Sequence, residues 1–193
     1  MEIALDLTKR YSYADYLTWA DNKMRELIDG IVKIGAPAPG TDHQRVSINI
    51  GANLQGYIMK NKGKCKVFAA PFDVRLPING EKSDNQIYNV VQPDICIICD
   101  NTKLDKRGCF GAPDFIAEIQ SFSTARYDMT EKFNLYEAAG VPEYWIVYPK
   151  DEGIEVFLLQ QNGKYDNGTK YDGGKIPVKA LGGYEIDFKD IFY

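Results

Sequence analysis

Two short apolar segments, each with a carboxylate beside or inside it, constrain the fold of this chain more than any other feature. The first is Ile95-Cys96-Ile97-Ile98-Cys99, preceded by Pro93-Asp94, and the second is Phe115-Ile116-Ala117-Glu118-Ile119-Gln120. Both segments are rich in β-branched residues and short for a helix, so they predict buried strands. A carboxylate buried in a strand is costly unless it is paired, protonated or bound to a metal. Asp94 and Glu118 on neighbouring strands could therefore hold one metal ion.

The composition is typical of a globular protein with one hydrophobic core. The chain has 193 residues, of which 45% are hydrophobic and 26% are charged. We expect a single domain over residues 1–193, with a core at about residues 10–150 and a β extension at residues 151–193. No apolar run approaches the ~18 residues of a membrane span, and no basic-then-apolar leader opens the sequence. We therefore expect a cytoplasmic protein that does not enter a membrane.

The charge balance argues against a simple nucleic-acid binder. The formal net charge is -4, whereas contacts to phosphates require a basic surface. Local charge can still differ from the total, and a bound divalent metal would reverse the sign of an acidic cleft toward phosphate.

Four cysteines, at positions 65, 96, 99 and 109, raise the question of a zinc site or disulfides. Cys96 and Cys99 have the spacing of a zinc knuckle. Strand residues three apart point to opposite faces, however, so these two thiols could not bind one ion. The only histidine, His43, is distant in sequence and is better explained as a hydrogen-bonding or packing residue than as a catalytic base. We predict reduced, mostly buried thiols.

The remaining pattern predicts helices interspersed with a mixed sheet, an α/β or α+β fold. Predicted helices cover residues 13–20, with Ser12 as N-cap, 42–60, beginning near Thr41, and 127–139, closed by Gly140. A hairpin at residues 26–34 turns at Asp29-Gly30. Further predicted strands cover residues 66–70, 72–76, 92–99, 114–120 and 143–148, with loops at 77–89 and 101–113. A C-terminal β meander covers 154–159, 164–171 and 184–192.

Several strings, taken in order along the chain, are together specific although each alone is weak. They are Glu26-Leu27-Ile28-Asp29-Gly30, His43-Gln44-Arg45, Ala70-Pro71-Phe72-Asp73-Val74, Val91-Gln92-Pro93-Asp94, the run from Pro113 to Thr124, Asp128, Lys132, Tyr136, and Gly140-Val141-Pro142-Glu143-Tyr144-Trp145. Over about residues 10–192 the chain resembles the Uma-two family of restriction endonucleases. That family is placed in the PD-(D/E)XK nuclease superfamily. The resemblance implies a restriction endonuclease-like fold, with a central mixed β-sheet flanked by helices.

The same resemblance implies hydrolysis of DNA phosphodiester bonds at a divalent metal. Such hydrolysis needs an activated water and a Lewis acid on the phosphate. Asp94 and Glu118 are the predicted metal ligands, with the backbone carbonyl of Ile119 as a further oxygen and Glu26 as a third candidate acid. Mg²⁺ prefers such oxygen ligands, and Mn²⁺ would suit the same donors.

The superfamily pattern expects a lysine two residues after the second acid, but this chain has Gln120 there. Glutamine can hydrogen-bond a water molecule but cannot supply a positive charge. In the resembling family a lysine on the following helix can take over, and Lys132 matches it, in a stripe with Asp128 and Tyr136 at helical spacing. The predicted catalytic residues are Asp94, Glu118, Gln120, Lys132 and Glu26.

Structural roles compete with these assignments. Glu118 could instead form an ion pair with an arginine such as Arg45 or Arg75. Lys132 could simply form a helix-surface pair with Asp128.

Three functions fit the sequence. The first is a Mg²⁺-dependent endonuclease that acts on DNA, expected by analogy to be a homodimer. The second is a catalytically weak or inactive nuclease-fold protein, serving as a binding or mobile-element accessory factor; the acidic charge and Gln120 favour it. The third is a metal-dependent hydrolase of a smaller phosphate ester. Metal affinity would separate the first function from the second.

Overall fold

The computed structural model describes residues 3–21, 23–34, 39–120 and 128–193 and folds them into two six-stranded mixed sheets flanked by helices. The described helices are α1 (Tyr13–Tyr16), α2 (Thr41–Lys60), α3 (Phe133–Ala139) and α4 (Phe188–Phe192). The strands are β1 (Arg25–Ile28), β2 (Ile31–Ile34), β3 (Lys66–Ala69), β4 (Val74–Arg75), β5 (Val90–Val91), β6 (Ile95–Ile98), β7 (Leu104–Asp105), β8 (Gly108–Phe110), β9 (Phe115–Ile119), β10 (Glu143–Tyr148), β11 (Gly153–Leu158), β12 (Thr169–Tyr171), β13 (Lys175–Val178) and β14 (Tyr184–Asp187). The predicted mixed α/β class is confirmed.

The described strands form two six-stranded sheets and a two-stranded sheet of β13 and β14, where the sequence predicted one central sheet. The first sheet has the order β2-β1-β5-β4-β8-β7, and the second has the order β12-β11-β10-β9-β6-β3. Each contains one parallel pair, β4 with β8 and β9 with β10. The prediction of a loop at residues 101–113 is wrong, because β7 and β8 lie there. Strands of two and three residues are too short to show a period, so no sequence pattern predicts them.

The second sheet is covered on both faces, which explains why its central strands are continuous apolar runs. One face packs against α2 and the C-terminal elements, and the other packs against α3 and the first sheet. Because side chains alternate along a strand, Ile119 lies on the α2 face. Ile116 lies on the α3 face, and Glu118, two residues further on, has the same orientation.

Several predicted element boundaries are confirmed. Ser12 and Asp15 form a reciprocal capping box at the start of α1, although this helix ends at Tyr16 and not at residue 20. The hairpin of β1 and β2 turns at Asp29 and Gly30, whose φ values are 49° and 79°. Positive φ at both central residues is what a tight hairpin turn requires. The long helix α2 begins at Thr41, as predicted.

Two predicted segments have a different form. The segment predicted as helix 127–139 begins as a π-helical turn, Asp128–Lys132, before α3, and Gly140 ends α3 at φ 80°. Position 127 and the predicted capping residues 121–124 lie outside the described part of the chain. In the C-terminal region the predicted strand 184–192 ends at Asp187, whose side chain caps α4. The strand β13, which the sequence did not predict, pairs with β14.

The prediction of four reduced cysteines is wrong for two of them. Cys65 and Cys99 form a disulfide, because the antiparallel pairing of Lys66 with Ile98 brings the adjacent residues opposite each other. Cys96 and Cys109 are buried free thiols. Cys96 packs on the α3 face and Cys99 on the α2 face, so the expectation that they point apart is confirmed. No helix among the described residues is both long and apolar enough to cross a membrane.

Candidate active site

Glu118 is a buried carboxylate near the end of the central strand β9. Its side chain is 3% exposed and points toward α3. Its Oε1 atom accepts hydrogen bonds from the Nζ of Lys132 at 2.9 Å and from the hydroxyl of Tyr136 at 2.6 Å. Lys132 and Tyr136 are themselves buried. A buried carboxylate in the middle of the fold therefore has a cationic and a neutral donor on the same oxygen.

Lys132 lies between two carboxylates. Its Nζ is 3.0 Å from Oε1 of Glu26 as well as 2.9 Å from Oε1 of Glu118. Lys132 is the last residue of the π-helical turn and directly precedes α3. Single π turns inside helices occur frequently at functional sites. Tyr136, four residues after Lys132, contacts the same carboxylate. The four-residue spacing in the sequence therefore places both side chains on one side of the helix, facing Glu118.

Glu26 brings the first sheet into this cluster. It lies on β1, and its Oε1 accepts a hydrogen bond from the backbone N–H of Gln92 at 2.7 Å. The Gln92 side chain in turn donates to Asp73 at 2.7 Å and to the hydroxyl of Tyr16 at 3.2 Å. The cluster of Glu26, Lys132 and Glu118 therefore joins the two sheets through hydrogen bonds at charged groups.

Asp94 directly precedes β6, one position beyond the paired residues Ile95 and Ala117. The antiparallel register pairs Ile95 with Ala117, so one step further along places Asp94 opposite Glu118. Directly opposed residues in such a pair start with Cβ atoms about 4.5–5.5 Å apart on the same face. Oδ2 of Asp94 accepts a hydrogen bond from the N–H of Ile119 at 2.8 Å and lies 3.2 Å from Nε2 of His43, in the first turn of α2.

The charge of Glu118 acts on two neighbouring side chains. Burial, followed by the charges of Glu118 and Glu26, raises the pKa of Tyr136 well above its usual value. Burial also raises the pKa of the Cys96 thiol, with smaller contributions from Cys109 and Glu118. Tyr136 therefore remains a hydrogen-bond donor, and Cys96 remains a neutral thiol at neutral pH.

The predicted metal ligands do not form a larger cluster in the described part of the chain. Within the described ranges there is no group of three or more His, Cys, Asp or Glu side chains that could hold a metal ion. The carboxylates of Asp94 and Glu118, with a backbone carbonyl and water molecules, would match the usual ligation of Mg²⁺, and this site remains a prediction. Glu26, the predicted third acid, contacts Lys132 and the N–H of Gln92. Its role as a metal ligand remains a prediction.

The remaining candidates from the sequence are Gln120 and two arginines. Gln120 directly follows β9, and its backbone N–H donates to the carbonyl of Val147 at 2.8 Å. The arginines considered as partners of Glu118 have other acids beside them. Arg75 pairs with Asp105 at 2.8 Å, and Arg45 lies 3.8 Å from Asp42.

Tyr136 and Gln92 had no assigned role in the sequence interpretation of the site, and His43 had a non-catalytic one. Tyr136 could have been found, because it follows Lys132 at helical spacing. His43 had been assigned hydrogen bonding or packing, and it does lie at hydrogen-bonding distance from a site carboxylate. Gln92 acts on Glu26 through its backbone N–H, which any residue except proline could supply. No sequence pattern could have identified that contact.

Comparison with known proteins gives a family and structural neighbours. The family model Uma2, described as "Putative restriction endonuclease", matches residues 13–188. The crystal structure of "a putative nuclease belonging to DUF820" from Anabaena variabilis ATCC 29413 superposes with a TM-score of 0.73 at 16% identity, covering 94% of this chain and 97% of that one. At that identity the similarity shows the fold alone. No curated protein matches the chain.

Proposed function

We propose a nuclease function on the premise that the chain belongs to the Uma2 family of restriction endonucleases. Specifically, the protein is a divalent-metal-dependent endonuclease that hydrolyses DNA phosphodiester bonds. The observation that carries the proposal is the buried Lys132 ammonium between Glu118 and Glu26. A lysine beside the strand acids is what this chemistry requires, and Gln120 cannot supply it.

The metal would be held by Asp94 and Glu118, with the Ile119 carbonyl as a further oxygen and Glu26 in support. Mg²⁺ is the expected ion and Mn²⁺ the alternative. When bound, the ion supplies a Lewis acid for the phosphate and lowers the pKa of a water molecule. Both carboxylates are held by hydrogen bonds that keep their oxygens in place, which is the preorganisation that electrostatic catalysis depends on.

Lys132 has the role of orienting water and balancing charge. Its ammonium group has three donors, and two of them face the carboxylates of Glu118 and Glu26. Tyr136 donates to the same oxygen of Glu118, which fixes the carboxylate beside Lys132. The positive charge of Lys132 offsets part of the negative charge of the two acids, so the cleft repels the phosphates of DNA less.

The test is cleavage of plasmid and single-stranded DNA with Mg²⁺ or Mn²⁺. Glu118→Gln should reduce cleavage below detection, and Lys132→Gln should slow it by roughly 10²–10⁴-fold, the usual range for general acid–base groups. Lys164→Gln, at a lysine that is 70% exposed, is the matched control and should cut normally. Cleavage that survives Glu118→Gln in identically purified protein would contradict the proposal.

A nuclease-fold protein without activity is the second candidate. It is favoured by the two carboxylates that already surround Lys132, because such a network is also complete as a purely structural ion-pair cluster. Calorimetric titration with Mn²⁺ separates the two functions. Binding that Glu118→Gln abolishes supports the nuclease, whereas an absence of both binding and cleavage supports the inactive protein. The cytoplasmic location and the homodimer remain predictions.

A further inference from the structure

The basic residues of this acidic chain are unevenly distributed. Residues 43–72 contain none of the 27 Asp and Glu residues of the chain. They do contain Arg45 and four lysines within seven positions, all of them exposed: Lys60, Lys62, Lys64 and Lys66. We call these four residues the lysine patch. The patch lies where α2 ends and β3 begins, so the net charge of -4 hides a local surface of opposite sign.

No ion pair among the described residues neutralises the charges of the lysine patch. In the described part of the chain none of its four ammonium groups forms a salt bridge, whereas Lys33, Lys132, Lys164 and Lys170 each do. The charge of one patch lysine, Lys64, acts on the carboxylate of Asp100. Hydrogen bonds from Thr102 come first in lowering the pKa of Asp100, and Lys64 contributes only a small part. The patch therefore remains available to an anion from outside the chain.

The backbone of the patch is held by covalent and hydrogen-bonded contacts. The disulfide of Cys65 with Cys99 lies between two of its lysines. The side-chain amide of Asn101 donates to the carbonyl of Lys64 at 3.2 Å, and the N–H of Gly63 donates to Ile58 at 2.9 Å. Binding to such a segment costs less conformational entropy than binding to a mobile loop.

A shallow groove of about 440 Å³ adjoins the patch at Lys60. Its lining includes Tyr57 and Tyr184, whose rings stack at 4.0 Å, and the amide of Asn53. Aromatic rings beside cationic side chains are the usual components of surfaces that bind nucleic-acid strands. The groove therefore adds aromatic contacts for a nucleotide next to the cationic contacts of the patch.

Helix α2 connects the patch with the candidate active site. His43, beside Asp94, is in its first turn, and Lys60 is its last residue. At 1.5 Å per residue the two lie ~25 Å apart along the helix. That distance corresponds to roughly seven base pairs of B-form DNA, so one duplex could reach both. From His43 onward the helix has no carboxylate to repel a phosphate backbone.

We propose that the lysine patch binds the phosphate backbone of the same nucleic acid whose scissile bond lies at the candidate active site. This proposal rests on the nuclease function proposed above. The lysines at a helix C-terminus and on the edge strand β3 could alternatively serve stability and solubility alone. A purely structural role would change the melting temperature without changing the salt dependence of DNA binding, so the two roles can be separated.

The experiment measures binding to a labelled duplex of about 30 base pairs in EDTA, by fluorescence anisotropy, between roughly 50 and 200 mM NaCl. The test variant replaces all four patch lysines with Gln. The control variant replaces four other exposed lysines that form no salt bridge in the described structure, and so has the same net charge: Lys82, Lys106, Lys175 and Lys189. The slope of log K against log salt should become shallower in the test variant by about 0.9 for each lost phosphate contact. The control variant should keep the wild-type slope.

The outcomes separate this proposal from the proposed function. A shallower slope and a raised KM for plasmid cleavage, with kcat within about twofold, support the patch. Equal slopes in the two variants, or no DNA binding by the wild-type protein, overturn it, even if the protein cleaves DNA. A patch-specific change in slope without any cleavage by the wild-type protein keeps the patch and rejects the nuclease. Melting temperatures of both variants report whether they fold.

Discussion

Two buried glutamates on adjacent strands of the second sheet are held in different ways. Glu118 on β9 points toward α3 and contacts the ammonium of Lys132 and the hydroxyl of Tyr136. Glu143 on β10 is 0% exposed and accepts neutral N–H donors, among them the Trp145 indole at 2.9 Å and the Ala180 backbone at 2.8 Å. Trp145 is in the core on the α2 side, and Glu143 has the same orientation.

The difference shows what each acid does. Neutral donors satisfy Glu143 and attach the C-terminal segment around Ala180 to the sheet, and burial raises the pKa of Glu143. That arrangement compensates the acid with neutral donors inside the core. Glu118 is part of a cluster with a buried lysine and a second acid, which is expensive to desolvate and therefore poor evidence for stability alone. Clusters of this kind are more typical of functional sites.

The largest expected effect comes from removing the cation of the cluster. Lys132→Met leaves Glu118 and Glu26 buried without compensation and should lower the free energy of unfolding by about 3–5 kcal/mol. The same substitution in a Glu118→Gln background should cost less, because only one acid then lacks its partner. Urea denaturation of the four proteins measures the coupling. Lys164→Met, which breaks an exposed pair with Glu137, should cost less than about 1 kcal/mol.

A smaller effect is expected at Tyr136. Tyr136→Phe keeps the ring in the core but removes the donor at 2.6 Å from Glu118, so it should lower the free energy of unfolding by about 1.5–2 kcal/mol. If the proposed nuclease is active, kcat should also fall, because the carboxylate loses one of its two constraints. Tyr165→Phe, which removes a hydroxyl bond to the Val141 carbonyl, is a matched control for loss of a buried phenol. An unchanged kcat in Tyr136→Phe would show that the hydroxyl only stabilises the fold.

The smallest effect concerns the pH dependence of stability. The folded pKa of Glu143 lies above its usual 4.5, so its contribution to stability is complete below that pH and is lost as pH rises through the folded pKa. Glu143→Gln should remove this loss. The free energy of unfolding of the variant should therefore rise relative to that of wild type as pH rises from about 4 to 7. Denaturation across this range measures the difference.

Glu137 provides the control of opposite sign. Its pKa is lowered, first by Lys164 and then by the N–H of Tyr165, so its contribution is present above the usual 4.5 and is lost as pH falls. Glu137→Gln should therefore have a lower free energy of unfolding than wild type at neutral pH, and this difference should disappear as the pH falls. Parallel pH profiles for the two variants would contradict the assignment of Glu143 as a carboxylate destabilised by burial.

The sequence was informative where side-chain pattern and backbone geometry coincide. The apolar runs predicted β6 and β9, the Asp29-Gly30 pair predicted the turn of the first hairpin, and the apolar spacing predicted α2. It failed at β7 and β8, which are too short to show a pattern, and at α4, where the aromatic residues suggested a strand. The disulfide also escaped prediction, because Cys65 and Cys99 are 34 residues apart and become neighbours only through strand pairing.

The sequence by itself predicted buried strands directly after Asp94 and around Glu118, and showed that Gln120 occupies the position where the superfamily has its lysine. Tertiary structure decided which cation compensates Glu118, because Lys132 reaches that carboxylate only after the π-helical turn and α3 pack against the sheet. It also decided that Glu26, from the other sheet, shares this lysine. The physical reason is that alternation along a strand fixes which face a side chain occupies, whereas the partner on that face comes from an element distant in sequence.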